Sequence, residues 1–269
     1  MPNTSNFLYI NTPHATNSPS DIEILKNKLS LMESFVAEND QFLDFSQLGE
    51  QKVLINILER LFQNHQLSQI YLDIGGFHPV IGSNTFRLYL RHGWRGVIVE
   101  PNPAKLQNWS SIRPNDVTIC AAAIPDTWNQ DTVRMICSSN SDARESVDRT
   151  LNINNRQSIE GGTFNYNAKT IRLSDLMNQC TSLNLLPTLL NLDIEGLEES
   201  IIIDSKAAKY KIPLLCIEHF LNEFTADQSI LAYQQSNLVR YLEESGYNLV
   251  SVCGISLIFC HKEFWVPYG

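Results

Sequence analysis

Only two residues, Cys253-Gly254, separate two runs that each read as a strand, 247–252 (YNLVSV) and 255–260 (ISLIFC). A connection that short leaves no room for a crossover, so the two strands must pair antiparallel as a hairpin. Upstream the pattern differs. Apolar runs at 69–74, 96–100, 117–123, 188–194 and 213–218 alternate with amphipathic stretches at 84–92, 103–111, 173–180, 197–209 and 227–245. Strands joined through helices imply right-handed crossovers and a parallel, doubly wound sheet with helices on both faces. The expected fold is therefore α/β, a seven-stranded and mostly parallel sheet with a C-terminal antiparallel hairpin. An apolar content of 43% and a charged content of 18% suit such a core.

The rest of the chain divides around that sheet. Residues 1–20 are rich in Asn, Ser, Thr and Pro and read as a flexible N-terminal arm. Helical periodicity at 21–38 and 48–66 makes 21–67 a helical N-terminal extension, expected to cover one edge of the sheet, with dimerisation as its other open role. The main domain is then 68–269. Residues 125–170 interrupt the alternation, are polar, and hold a strand-like stretch only at about 132–137. A long insertion of that kind is expected to overhang the functional cleft.

A formal net charge of -9 argues against nucleic acid as a partner. No basic start followed by an apolar stretch marks residues 1–20 as a signal peptide, and no run approaches the roughly 20 apolar residues of a membrane span, so a cytoplasmic protein is expected. None of the six cysteines forms a C-x-x-C pair. Cys120, Cys216 and Cys260 lie in apolar runs and read as core residues, whereas His65, His92 and His261 read as surface residues.

Chemistry concentrates at the carboxyl ends of the strands, where open α/β sheets bind ligands. The first strand runs into Asp73-Ile74-Gly75-Gly76-Phe77-His78-Pro79. Glycines there permit close backbone approach to a ligand. Glu100 ends the second strand, 27 positions after Asp73, and precedes Pro101-Asn102-Pro103, with Asn102 as N-cap and Pro103 as first helical residue. A carboxylate there can bind the two ribose hydroxyls of a nucleoside-bearing cofactor. Ser83 reads as the N-cap of the next helix, and Ser83-Asn84 could also receive the carboxylate of a cofactor's amino-acid part. Asp193 and Glu195 close the fourth strand, and Glu218-His219 the fifth, so all four should meet on one rim. Glu195 or Glu198 could instead cap the following helix. The terminal hairpin and the lack of G-x-G-x-x-G favour a methyl donor over a nicotinamide, in the manner of Rossmann-like class I methyltransferases.

These stretches resemble the FkbM family of S-adenosylmethionine-dependent methyltransferases. The resemblance rests on SQLGEQ (46–51), YLDIGGFHPVIGSNTFRLYLRHGWRGVIVEPNP (71–103), TIRLSDLM (170–177), LNLDIEGLEESII and GYNLVSVCGISLIF. It implies cofactor contacts at Asp73, Gly75, Gly76 and Glu100, and Ser83, Asn84, Pro101 and Asp193 are further candidates for the cofactor site. It implies a role for Asp193 and Glu195 near the transferred methyl, and Gly76 stands where many relatives carry Ala. The expected activity is O-methylation of a hydroxyl on a sugar, glycan or other small-molecule natural product. His219 and His78 are candidate bases, and Asp193, Glu195 and Glu218 offer hard oxygen ligands to a divalent cation such as magnesium. The alternative is a catalytically silent relative used for binding or as a scaffold.

Overall fold

A computed structural model describes residues 44–138, 145–147, 163–221 and 230–265. The expected arm at 1–20 and helix at 21–38 lie outside them. The described residues belong to a compact unit spanning Asp44–Gly269.

The unit opens with α1 (Glu50–Asn64). Then follow β1 (Ile70–Ile74), α2 (Phe86–His92), β2 (Arg95–Val99), α3 (Pro103–Ile112), β3 (Val117–Ile119) and β4 (Ala122–Ile124). Next come β5 (Thr132–Ser138), β6 (Glu145–Val147), β7 (Thr163–Arg172), α4 (Leu173–Ser182), β8 (Leu189–Leu192) and α5 (Glu198–Asp204). The chain ends with β9 (Leu214–Glu218), α6 (Ile230–Gln234), α7 (Asn237–Glu244), β10 (Tyr247–Cys253) and β11 (Ser256–His261).

Seven strands form the main sheet in the order β10-β11-β9-β8-β1-β2-β3. β3, β2, β1, β8 and β9 run parallel, and β11 lies antiparallel between β9 and β10. The hairpin forced by Cys253-Gly254 is therefore present, and its second strand is the one that joins the parallel sheet. Connections on the two sides of the β1–β8 pair lead in opposite directions. The crevice above their carboxyl ends is thus the topological switch point, where doubly wound sheets hold ligands. Register across it sets Asp73 opposite Asn191 and Ile74 opposite Leu192.

Both faces of the sheet are buried, which is why its central strands are apolar on every side. On one face Leu54, Ile57, Leu58 and Leu61 of α1 share a cluster with Tyr71, Ile98, Trp109, Leu189 and Ile258. The helix expected at 48–66 thus covers a face of the sheet, not an edge. On the other face α4, α5 and α7 pack with Leu72, Leu190, Leu215 and Phe259.

Several expected elements are divided. The run 117–123 breaks at Cys120, where the Ala121 amide bonds back to the Ile119 carbonyl at 3.2 Å. β3 stays in the main sheet, and β4 leaves to pair with β7. Cys120 is exposed at that break, unlike the buried Cys216 and Cys260. The 125–170 insertion is not irregular where it is described: β4, β7, β5 and β6 make a second, four-stranded sheet. Its inner side chains Val133, Met135 and Ala168 join the main core. Lys206, at φ 52°, ends α5 well before residue 209. The Ser236 hydroxyl accepts from the Val239 amide and starts α7 inside the stretch expected as one helix over 227–245. His261 is buried against Tyr247 rather than on the surface. No helix among the described residues is long and apolar enough to cross a membrane.

Candidate functional site

A cleft of about 570 Å³ opens above the carboxyl ends of β2, β1, β8 and β9. That is a usual size for a small-molecule or cofactor site. Asp73, Gly75, Gly76, His78, Ser83, Asn84, Glu100, Pro101, Asp193, Glu195 and Glu218 all line it. Across the sheet edge the carboxylates follow the strand order Glu218, Asp193, Asp73, Glu100. His219 does not line the cleft. It follows Glu218 at the end of β9, with its Nε2 3.7 Å from a Glu199 oxygen and its ring 6.3 Å from that of Tyr233.

Gly75 lets the β1 and β8 turns touch. It sits at φ 90°, and a Cβ there would overlap the backbone carbonyl of Asp193. The amides of Gly75 and Gly76 both donate to the Val99 carbonyl, at 2.9 and 3.3 Å. They are thus committed to β2, so the glycines serve close packing and not amide donation to a ligand. Gly76 is equally constrained, since a Cβ would lie 2.6 Å from Ile98 Cγ2 and 3.0 Å from Trp109 Cζ2. The Trp109 indole donates to the Gly76 carbonyl at 2.7 Å.

Asp73 organises the floor. It accepts from the Thr85 hydroxyl at 2.6 Å and from the Asn191 amide at 2.9 Å. Burial raises its pKa, and those two donors oppose the rise. Thr85, not Ser83, is the N-cap of α2, with its hydroxyl used on Asp73 instead of on the helix. Ser83 sits two residues earlier and accepts from the guanidinium of Arg113 at 2.7 Å. By contrast Asn102 caps α3 through the Ala104 amide at 2.9 Å, with Pro103 at the first turn, as its sequence position requires.

Arg113 is the residue that sequence reasoning missed. It is fully buried. It donates to the Pro79 carbonyl, to Ser83 and to Thr85 Oγ1 at 2.9 Å, and its guanidinium lies 4.4 Å from the Trp109 ring centre. One cation thereby holds the loop from Pro79 to Thr85 beneath the cleft. Nothing in the sequence around Arg113 marks it out, because its partners lie about 30 residues away.

His78 serves the same loop. Its Nδ1 accepts from the Val80 and Ile81 amides at 3.1 and 3.0 Å, which places the proton of the neutral ring on Nε2. Burial, with Arg113 adding to it, lowers its pKa to about 4. The ring is a neutral donor toward the cleft, with its accepting nitrogen already used.

On the other side the turn after β8 is strained. Glu195 adopts φ 61° and Gly196 φ 114°. Non-glycine residues rarely hold that conformation unless their surroundings fix it. Glu198 fixes it: one carboxylate oxygen accepts from the Ile194 and Gly196 amides at 2.8 and 3.0 Å. Glu198 therefore caps the turn before α5. Asp193 hydrogen-bonds Glu218. Burial raises the pKa of both; the hydrogen bond and charge of Asp193 raise Glu218 further, to about 10, whereas the bond from Glu218 opposes the rise of Asp193 to about 7. Two carboxyls in such contact share a proton near neutral pH. One oxygen each from Asp193, Glu198 and Glu218 lies within 4.8 Å of the others. Glu198, rather than Glu195, thus completes the carboxylate group able to hold a cation.

A mostly parallel α/β sheet with the one inverted strand β11, and a cofactor-sized cleft at its switch point, define a Rossmann-like fold with a ligand site at its usual place. A family model described as "Methyltransferase FkbM domain" matches residues 73–249. The chain belongs to the FkbM methyltransferase family, and its domain is a methyltransferase domain. No curated protein matches it closely enough to add a relative.

Proposed function

We propose that the protein is an S-adenosylmethionine-dependent O-methyltransferase acting on a hydroxyl of a sugar, glycan or natural product. The observation that carries this reading is one cleft that joins Glu100 and the glycine turn to the proton-sharing pair Asp193–Glu218. Several features of the cleft fit the methyl donor. Glu100, buried at the end of β2, offers a carboxylate for the ribose diol. Asn84 carries a buried Oδ1 without a hydrogen-bond partner. The donor would supply a methyl group already activated on a sulfonium, so the chain's task is to orient the acceptor and take its proton.

Asp193 is placed for that task. With His78 Nδ1 engaged and His219 off the cleft, it is the cleft base best matched to neutral pH. Its raised pKa makes the carboxylate a stronger base than a solvated Asp. Glu218 donates to it in the resting state and would stabilise the ionised form. A divalent cation held by Asp193, Glu198 and Glu218 is the other way to activate a hydroxyl there. Asp73 and Arg113 orient the floor without touching the acceptor.

Calorimetry with S-adenosylhomocysteine tests the cofactor assignment. The wild type should bind, and Glu100→Ala should weaken binding by about tenfold or more, the loss of hydrogen bonds to a charged group. No binding by the wild type refutes the reading. Methyl transfer to a panel of hydroxylated acceptors then tests the activity, and cofactor binding without transfer to any acceptor would favour the silent relative.

A further inference from the structure

Gln47 lies in the SQLGEQ stretch, N-terminal to residues 73–249 that the family model matches, and it lines the cleft. The segment that carries it is pinned at several points. Phe45 stacks edge-on against Phe86 at 4.8 Å, and Asp44 accepts from the Ser46 amide at 3.0 Å. Glu50 accepts from the Leu48 amide and from the Ser256 hydroxyl, both at 2.8 Å. Leu48 packs against Gly254 in the hairpin turn. The segment thus spans from α2 to the β10–β11 hairpin, and Gln47 is its residue on the cleft wall. Its amide nitrogen lies against Gly82, 3.4 Å from where a Cβ would be.

A second, independent feature lines the same cleft. Asn84 Oδ1 is buried and unpartnered. Its orientation follows from the network. Asp73 accepts, so Asn191 must turn its amide nitrogen to Asp73 at 2.9 Å and its oxygen to Asn84 Nδ2 at 2.9 Å. Asn84 is left with its carbonyl oxygen unmatched. A buried acceptor without a donor is costly, and a ligand that donates there recovers the cost.

We propose that Gln47 and Asn84 bind the amino-acid end of the methyl donor, Asn84 Oδ1 accepting from its ammonium and the Gln47 amide donating to its carboxylate. The assignment rests on the cofactor reading given above. The carboxylate needs a neutral or positive donor here, because the remainder of the cleft is rich in acids. Among the lining residues around Gly82, the Gln47 amide and the Nε2–H of His78 supply such donors. The cofactor site then depends on a segment N-terminal to the matched domain.

The full chain, titrated with S-adenosylhomocysteine and with 5′-methylthioadenosine, which lacks the amino-acid end, tests this. Gln47→Ala should weaken S-adenosylhomocysteine by ~10-fold or more and leave methylthioadenosine unchanged. Gln47→Glu, which sets an anion against the carboxylate, should weaken the former further. Equal affinity of wild type and Gln47→Ala for S-adenosylhomocysteine overturns the proposal. An equal loss for both ligands also overturns it, since that marks a purely structural segment. If the wild type binds neither ligand, the cofactor reading fails first and this assignment with it. If the wild type binds both and the variants keep their ratio, only the assignment of Gln47 fails.

Discussion

Replacing Arg113 by Met should destabilise the fold and do so unequally with pH. Met keeps the aliphatic stem against Trp109 and removes the guanidinium. The loss strands the Pro79 carbonyl, the Ser83 and Thr85 hydroxyls and the Asp116 carboxylate, which lies 3.9 Å from the guanidinium with no exposed side-chain surface. Breaking a buried charged pair from one side costs about 3–5 kcal/mol. Burial holds Asp116 up at about 6, while the Tyr71 hydroxyl and Arg113 pull it down. Without Arg113 its pKa rises further. An acid with a raised folded pKa binds more protons folded than unfolded, so stability falls as pH climbs through the window between its two pKa values. That window opens near 4, ends near 6 in the wild type, and extends higher in the variant. The deficit measured by urea denaturation should therefore be smaller at pH 5.5 than at pH 8. A deficit under about 1 kcal/mol at both pH values, or a larger one at pH 5.5, would refute the account of Arg113 as the loop's buried anchor.

Three other outcomes are expected. Gly76→Ala should cost about 1–3 kcal/mol in chemical denaturation, because its Cβ meets Ile98 Cγ2 and Trp109, and the same change should cost less in an Ile98→Ala background, which lacks that Cγ2. Glu218→Gln keeps a donor to Asp193, so the rising limb of the pH–rate profile for methyl transfer should stay in place, while Glu218→Ala removes the bond that lowers the Asp193 pKa and should move the limb to higher pH. Transfer should persist in chelator. Its loss, with recovery on adding magnesium or manganese, would instead assign Asp193, Glu198 and Glu218 to a metal.

What could be read from the sequence depended on how local the cause was. The hairpin at Cys253-Gly254 follows from connection length alone, and the Asn102-Pro103 start of α3 from two adjacent side chains. The acids at strand ends were legible because a parallel sheet gathers those ends at one edge. The second sheet was not, since β7 reads as polar until it pairs with β5 over Thr163–Lys169 and with β4 over Thr170–Arg172. The cap of α2 was misplaced because Thr85 has a stronger acceptor in Asp73, twelve residues back, than the helix offers. His219 was grouped with Glu218 by adjacency, yet neighbours in an extended strand point to opposite faces. Arg113 was silent because it acts on a loop about 30 residues away, and SQLGEQ was noticed without a role for Gln47 because the cleft wall it joins lies far along the chain.

The carboxylates around the cleft look interchangeable in the sequence, but the fold gives them different jobs. Glu198 is occupied by the amides of a strained turn, and Asp73 by Thr85 and Asn191. Glu100 holds the Asn102 amide at 2.9 Å and still lines the cleft. Asp193 and Glu218 lower their joint charge by sharing a proton, which lets the two acids coexist in contact, and in the proposed reaction Asp193 is the one that takes the acceptor's proton. Arg113, buried behind the loop, offsets part of the remaining negative potential without entering the cleft. The proposed methyl donor carries positive charge at its sulfonium and ammonium, which an acid-lined cleft attracts, and its product has lost the sulfonium charge. On the proposed cofactor reading, S-adenosylhomocysteine should therefore bind more weakly than S-adenosylmethionine in calorimetry, and equal affinities would refute this electrostatic account.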